Sequence, residues 1–186
     1  LALARLAKNK EAIAAFDLAL SVDTSYSPAY FQKGMILKNL KRYEEALSAF
    51  SAALTLDTAN YDIWYNKGLV LTHLKRFDEA KTTFDRAITL DQNSFAAHYE
   101  RGYALINLKQ YEEAVTAFSR ALAIDDENRD GHFEQGLAFA MLGRYEEAES
   151  SFSKAIAIDN DFSEGYYNKG LALENLGRYD QAIPAF

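Results

Sequence analysis

Between residues 61 and 94 the apolar positions fall into two stripes of helical spacing. Trp64, Gly68, Leu71 and Leu74 stand three or four apart, so a helix places them on one face. Phe77, Ala80, Phe84, Ala87 and Ile88, with Leu90 close behind, form a second stripe. Lys75-Arg76 separates the two, and Asp78-Glu79 opens the second. Basic residues suit the negative C-terminal end of a helix and acidic residues the positive N-terminal end, so charge and pattern agree on a helix, a turn and a helix.

The same pattern recurs along the whole chain with a period of 34 residues. Gly34, Gly68, Gly102, Gly136 and Gly170 keep that period, as do Ala12, Ala46, Ala80, Ala114, Ala148 and Ala182, and Phe16, Phe50, Phe84, Phe118, Phe152 and Phe186. With Gly34 as position eight, full repeats span 27–60, 61–94, 95–128 and 129–162. Residues 1–26 supply positions nine to thirty-four of an earlier repeat, and 163–186 the first twenty-four of a last one. Helix pairs are predicted over 27–40 with 44–56, 61–74 with 78–90, 95–108 with 112–124, and 129–142 with 146–158. Gly143 and Gly177 suit a left-handed helix end at the intervening break. Leu56-Asp57-Thr58 and its equivalents end the second helix and turn the chain. A fixed period of this length identifies stacked repeats that form one quasi-linear domain.

Small residues recur at fixed places within each hairpin. Glycine at position eight costs a helix interior roughly 1 kcal/mol against alanine, which points to close helix approach. Alanines at twenty and twenty-seven allow the same, and the phenylalanine at twenty-four fills the space between hairpins. An aromatic at four, Gly at eight, Ala at twenty, an aromatic at twenty-four and Ala at twenty-seven resemble the tetratricopeptide repeat; Trp64, Gly68, Ala80, Phe84 and Ala87 carry all five. The resemblance covers the whole chain. It implies an all-α, right-handed superhelical solenoid of stacked antiparallel hairpins whose first helices line a concave groove. The chain departs from the family pattern at three places. Position seven, usually Leu, is Lys33, Lys67, Arg101, Gln135 and Lys169; position nine is Leu1, Met35, Leu69, Tyr103, Leu137 and Leu171; position thirty-two is never Pro. Asn9 also replaces the aromatic expected at position seventeen, which loosens the first hairpin, and Pro184 falls inside the last helix, where it removes a hydrogen bond.

Composition narrows the functional classes. Net charge is -7 and the pI about 5.0, which argues against nucleic acid and anionic membrane surfaces, since both need clustered Lys and Arg. No apolar run approaches the roughly 18 residues of a membrane-spanning helix. There is no cysteine, hence no disulfide and no thiolate metal site. A cytoplasmic location is the expectation, and the chain reads as part of something longer.

No catalytic constellation is visible: no Gly-rich phosphate loop and no His-Glu-x-x-His. We therefore expect no enzyme activity, no cofactor and no metal. His98 and His132 occupy position four, where Tyr30, Trp64 and Tyr166 stand elsewhere, and are read as aromatic packing substitutes. Asp57, Asp91, Asp125 and Asp159 recur at position thirty-one and are read as turn residues.

The binding candidates lie on the first helices, where the family resemblance places positions two, five, six, nine, twelve and thirteen in the groove. Position five is an unbroken aromatic series, Phe31, Tyr65, Tyr99, Phe133 and Tyr167. Rings give large contact area and are enriched in binding hot spots, yet part of each must pack on the neighbouring hairpin; the sequence leaves both roles open. Asn66, Glu100, Glu134 and Asn168 at position six, and Tyr103 at nine, complete the candidate peptide-binding set. The amides there and at thirteen, Asn39, Asn107 and Asn175, are read first as solvated helix positions and second as ligand contacts. The resemblance also excludes one family function. The clamp that holds acidic chaperone tails needs Lys at five and Asn at nine, and both are missing. Asp62, Glu100, Asp130, Glu134 and Glu164 make the groove acidic.

The leading reading is a protein-interaction scaffold that holds a peptide or helix of a partner, basic or apolar, in the groove. The first alternative is a structural scaffold that self-associates end to end through the apolar edges at Leu1, Leu3, Leu6 and Phe186. The second is a regulatory interaction domain of a larger enzyme.

Overall fold

The computed structural model describes residues 2–182, with side chains from Lys8 onward. Expectations attached to Leu1, Leu3, Leu6, Pro184 and Phe186 fall outside that range. All regular structure among the described residues is helical. Two units divide the chain after Gln92.

The first unit holds α1 (Ala2–Val22), α2 (Ser27–Asn39), α3 (Tyr43–Leu56), α4 (Tyr61–His73) and α5 (Phe77–Leu90). Each helix packs on the next, and α2 also touches α4. The second unit holds α6 (Phe95–Asn107), α7 (Tyr111–Leu122), α8 (Arg129–Met141), α9 (Tyr145–Ile158), α10 (Ser163–Asn175) and α11 (Tyr179–Ala182). Here too each helix packs on the next, and the first helices α6, α8 and α10 touch one another in order. The predicted pairs agree to within two residues at each end. Second helices begin one residue early because the aromatic at position seventeen is their first helical residue.

The turn inside each hairpin has one geometry. Arg42 donates its backbone N–H to Leu37 O, and Arg76 to Leu71 O, Gln110 to Leu105 O, Arg144 to Phe139 O and Arg178 to Leu173 O, each at 2.9 Å. This six-to-one bond closes a Schellman motif, which needs a left-handed residue just before the donor. Gly143 and Gly177 supply it at φ 73° and 72°. In the other hairpins Lys41, Lys75 and Lys109 adopt φ 58–59° at the same place. A side chain there costs about 1–2 kcal/mol relative to right-handed backbone.

Helix α1 departs from the repeat. It runs unbroken through Ala7, which occupies the turn position, and through Asn9. Alanine favours continued helix. Asn9 removes the aromatic that in later hairpins docks the second helix, so nothing offsets the left-handed turn. Among its described side chains only Leu20 is buried.

The core is a column of fully buried phenylalanines and alanines. Phe50, Phe84, Phe118 and Phe152 are at most 1% exposed, and Ala46, Ala80, Ala114 and Ala148 are 0% exposed. A β-carbon on Gly34, Gly68, Gly102 or Gly136 would lie 2.5–2.8 Å from a ring carbon of the Phe sixteen residues later. The glycines are therefore required by ring-to-backbone contact. The polar residues at position seven reach the second helices: Lys33 pairs with Asp17, Arg101 with Glu113, Lys169 with Glu149, and Gln135 donates to Ser119 Oγ at 2.9 Å. A leucine there would forfeit these links.

Candidate functional site

Four position-five rings, those of Phe31, Tyr65, Tyr99 and Phe133, set an inner edge on the core phenylalanine of their own hairpin. In the first unit Phe31 lies 5.9 Å from Phe50 and Tyr65 6.1 Å from Phe84, both tilted. In the second unit Tyr99 meets Phe118 at 5.7 Å edge to face, and Phe133 meets Phe152 at 5.7 Å. Phe133 is also wedged edge-on against Phe162 at 4.9 Å. These rings are half-buried, whereas Tyr167 on α10 is 56% exposed. Packing and exposure coexist along the series, with the balance moving outward at Tyr167. Tyr65 and Tyr99 are extended by stacked neighbours one turn earlier, Tyr61 and Phe95, both at 5.7 Å. The stacking of position one on position five was not anticipated from the sequence, although the i, i+4 spacing carries the signal.

Position six behaves differently in the two units. Asn66 is 8% exposed; its amide donates to Asp62 O at 2.8 Å and its carbonyl accepts from Lys38 Nζ at 2.6 Å. It ties α4 to α2. Burial lowers the Lys38 pKa. In the second unit Glu100 and Glu134 are half-buried on α6 and α8. Burial raises the pKa of both, and Asp130 pushes Glu134 further in the same direction. The Tyr99 hydroxyl is also raised, first by burial and then by the charges of Glu134, Asp130 and Glu100, followed by Tyr103. Burial and the charges of three carboxylates thus act on the Tyr99 hydroxyl in one direction. Tyr103 is 37% exposed and Met141, at position thirteen, 61% exposed.

Asn168, Asn107 and Asn175 donate their amides to the carbonyls four residues earlier, Glu164 O, Tyr103 O and Leu171 O, at 2.8–2.9 Å. This is the local bonding of a surface helix residue. Their second amide N–H and their carbonyl oxygen remain for a ligand.

Several other polar groups bond within the fold. His132 is 6% exposed, and its Nε2 donates to Asp126 O at 2.9 Å. Trp64 Nε1 donates to Thr58 O at 2.9 Å in the equivalent geometry, so the histidine reproduces an aromatic packing role. Asp23, Asp57, Asp125 and Asp159 each accept a backbone N–H two residues on, which makes them turn residues. Asn60, Ser94 and Asn128 cap α4, α6 and α8 through Ile63, Ala97 and Gly131 N–H. No group of three or more acidic or histidine side chains among the described residues has the geometry of a metal site. No helix among the described residues is long and apolar enough to cross a membrane.

Comparison with solved structures returns helical repeat proteins. The crystal structure of MamA superposes with a TM-score of 0.84 at 24% identity, covering 86% of this chain and 87% of that one. A MamA fragment from Desulfovibrio magneticus RS-1 gives 0.82 at 22% identity, covering 86% and 90%. YrrB, described as a TPR protein with an unusual peptide-binding site, gives 0.81 at 24% identity, covering 92% and 88%. No curated protein sequence matches the chain. Models of the tetratricopeptide repeat match residues 39–99, 76–129, 99–163 and 151–183, so repeats are found from Asn39 to Ile183. The chain belongs to the tetratricopeptide repeat family.

Proposed function

We propose that the chain is a protein-interaction scaffold whose first helices hold an extended peptide or a helix of a partner, basic or apolar. The observation that carries this is the side-by-side arrangement of α6, α8 and α10, with Tyr99, Tyr103, Phe133 and Tyr167 on the family's groove positions. Tyr103 and Tyr167 remain 37% and 56% exposed. Large rings anchored on a rigid core give contact area at low entropy cost. The fold accommodates such use, as the peptide-binding site named for YrrB illustrates. End-to-end association is a second reading, favoured by the exposure of Leu18 (68%) and Val22 (85%) on α1.

A twelve-residue peptide selected from a displayed library against the 186-residue chain tests the first reading. Tyr99→Ala weakens its binding by about 1–3 kcal/mol in titration calorimetry. Equal affinity in a normally folded variant refutes the first-helix assignment.

A further inference from the structure

The two units differ in the charge of their first-helix faces. At positions two, five, six, nine, twelve and thirteen the second unit carries Asp130, Glu164, Glu100, Glu134 and Glu174, and no Lys or Arg. In the full repeats of the first unit those positions carry Asp62 and Lys38, a balanced pair. Of the second unit's cations near this face, Arg129 bonds Asp130 of the face itself, and the others are engaged elsewhere. Arg101 pairs with Glu113, Arg129 with Asp130 and Asp159, and Lys169 with Glu149. Among the described residues no cation is placed against Glu100 or Glu134, whose charged forms are disfavoured by burial.

We infer that this face takes a peptide carrying a lysine or arginine side chain, seated between Glu100 and Glu134 beside Tyr99 and Tyr103. The inference rests on the first-helix reading and deepens it. Three possible occupants differ in what they do to the carboxylates. A wholly apolar segment removes the remaining water from Glu100 and Glu134 and leaves two buried charges unpaired, which is strongly unfavourable. An acidic segment adds like-charge repulsion. A basic side chain supplies the missing countercharge, and its aliphatic stem lies along the rings that flank the acids. Cations are also attracted to tyrosine faces. The half-buried carboxylates and the exposed Tyr103 thus call for the same ligand group.

The test uses twelve-residue peptides selected from a displayed library on the intact chain, then synthesised with their basic residue kept or changed to Met. Selected sequences are expected to share a Lys or Arg at one fixed position. Glu100→Gln combined with Glu134→Gln lowers affinity about tenfold and flattens its salt dependence. Changing the peptide's Lys to Met costs about the same on the parent and little on the double variant, because each removes the same pair. Glu146→Gln on the exposed start of α9 leaves affinity unchanged. A lysine whose loss costs equally on both proteins overturns the inference, as does a selected set without a fixed basic residue. Binders that need Tyr99 and ignore both glutamates overturn this inference alone. Failure to select any binder, or binders indifferent to Tyr99→Ala, overturns the first-helix reading and this inference with it.

Discussion

Gly68→Ala sets two known effects against each other inside one hairpin. Alanine in place of a mid-helix glycine gains about 1 kcal/mol of helix propensity. The new methyl carbon, however, would lie 2.5 Å from Phe84 Cε1, 2.7 Å from Cζ and 2.8 Å from Cδ1. Carbon pairs settle near 3.5–4.0 Å, so the ring has to retreat by about 1 Å. Phe84 is 0% exposed and rests against Tyr65 at 6.1 Å, so the retreat pushes one ring into another. Overpacking of this kind costs about 1–3 kcal/mol. With a rigid buried ring the upper half of that range applies, and the net expectation is a loss of about 1–2 kcal/mol.

Trp64 is the single tryptophan and lies on the same helix, one turn before Gly68, so its fluorescence reports this hairpin directly. Urea melts followed by Trp64 fluorescence and by circular dichroism give the local and global transitions. The cause is isolated by Phe84→Leu, which shortens the obstructing side chain. Gly68→Ala added to Phe84→Leu is neutral or stabilising, because only the propensity gain remains. A parent-background Gly68→Ala that melts at or above the parent midpoint refutes the reasoning. It would show that the core relaxes freely and that position-eight glycine is not required by Phe84.

Three further outcomes are expected. Lys75→Gly stabilises by about 0.5–1 kcal/mol, since φ 58° suits glycine, while Gly143→Ala destabilises by about 1 kcal/mol through strain alone because its methyl meets nothing within 4 Å; paired thermal melts read both signs. Ala80→Leu, at a site 0% exposed, costs about 1–3 kcal/mol by overpacking in a denaturant melt. Glu134→Gln raises stability at neutral pH: a carboxyl whose folded pKa is raised carries a penalty that is full above that pKa and gone below the ordinary value of 4.5, so the gain over the parent shrinks as pH falls toward 4.5.

The hairpin architecture was legible because its signals are periodic and local. Gly68, Ala80, Phe84 and Ala87 recur in register, and no insertion disturbs the count. The left-handed Gly143 and Gly177 were legible for the same reason, since glycine at a helix end has a direct conformational cause. Lys41, Lys75 and Lys109 were not, because lysine gives no sign of positive φ; the hydrogen bond from Arg42 to Leu37 holds it there. The continuous α1 was hidden too, since it depends on a missing contact at Asn9. Within the candidate site, the aromatic series at position five was visible, but how each ring divides between core and surface depends on tilt. Asn66 and Glu100 occupy the same repeat position, yet Asn66 accepts from Lys38 and Glu100 has no such cation. That difference comes from the neighbouring helix, and no local pattern records it.

The coupling of binding rings to core rings limits what a single substitution proves. Tyr99 touches Phe118 at 5.7 Å and stacks on Phe95, so its removal opens space beside a fully buried side chain. A loss of affinity in Tyr99→Ala then mixes lost contact with a loosened hairpin. Tyr103 lies one turn further along the same helix, is 37% exposed, and has no ring contact with another aromatic among the described residues. Tyr103→Ala therefore separates the two effects. If the first-helix face binds, this variant loses affinity by about 1 kcal/mol or more while its melting midpoint stays within about 0.5 kcal/mol of the parent. If affinity and stability fall together at Tyr99 and neither moves at Tyr103, the rings of α6 serve the core, and the binding surface lies elsewhere on the chain.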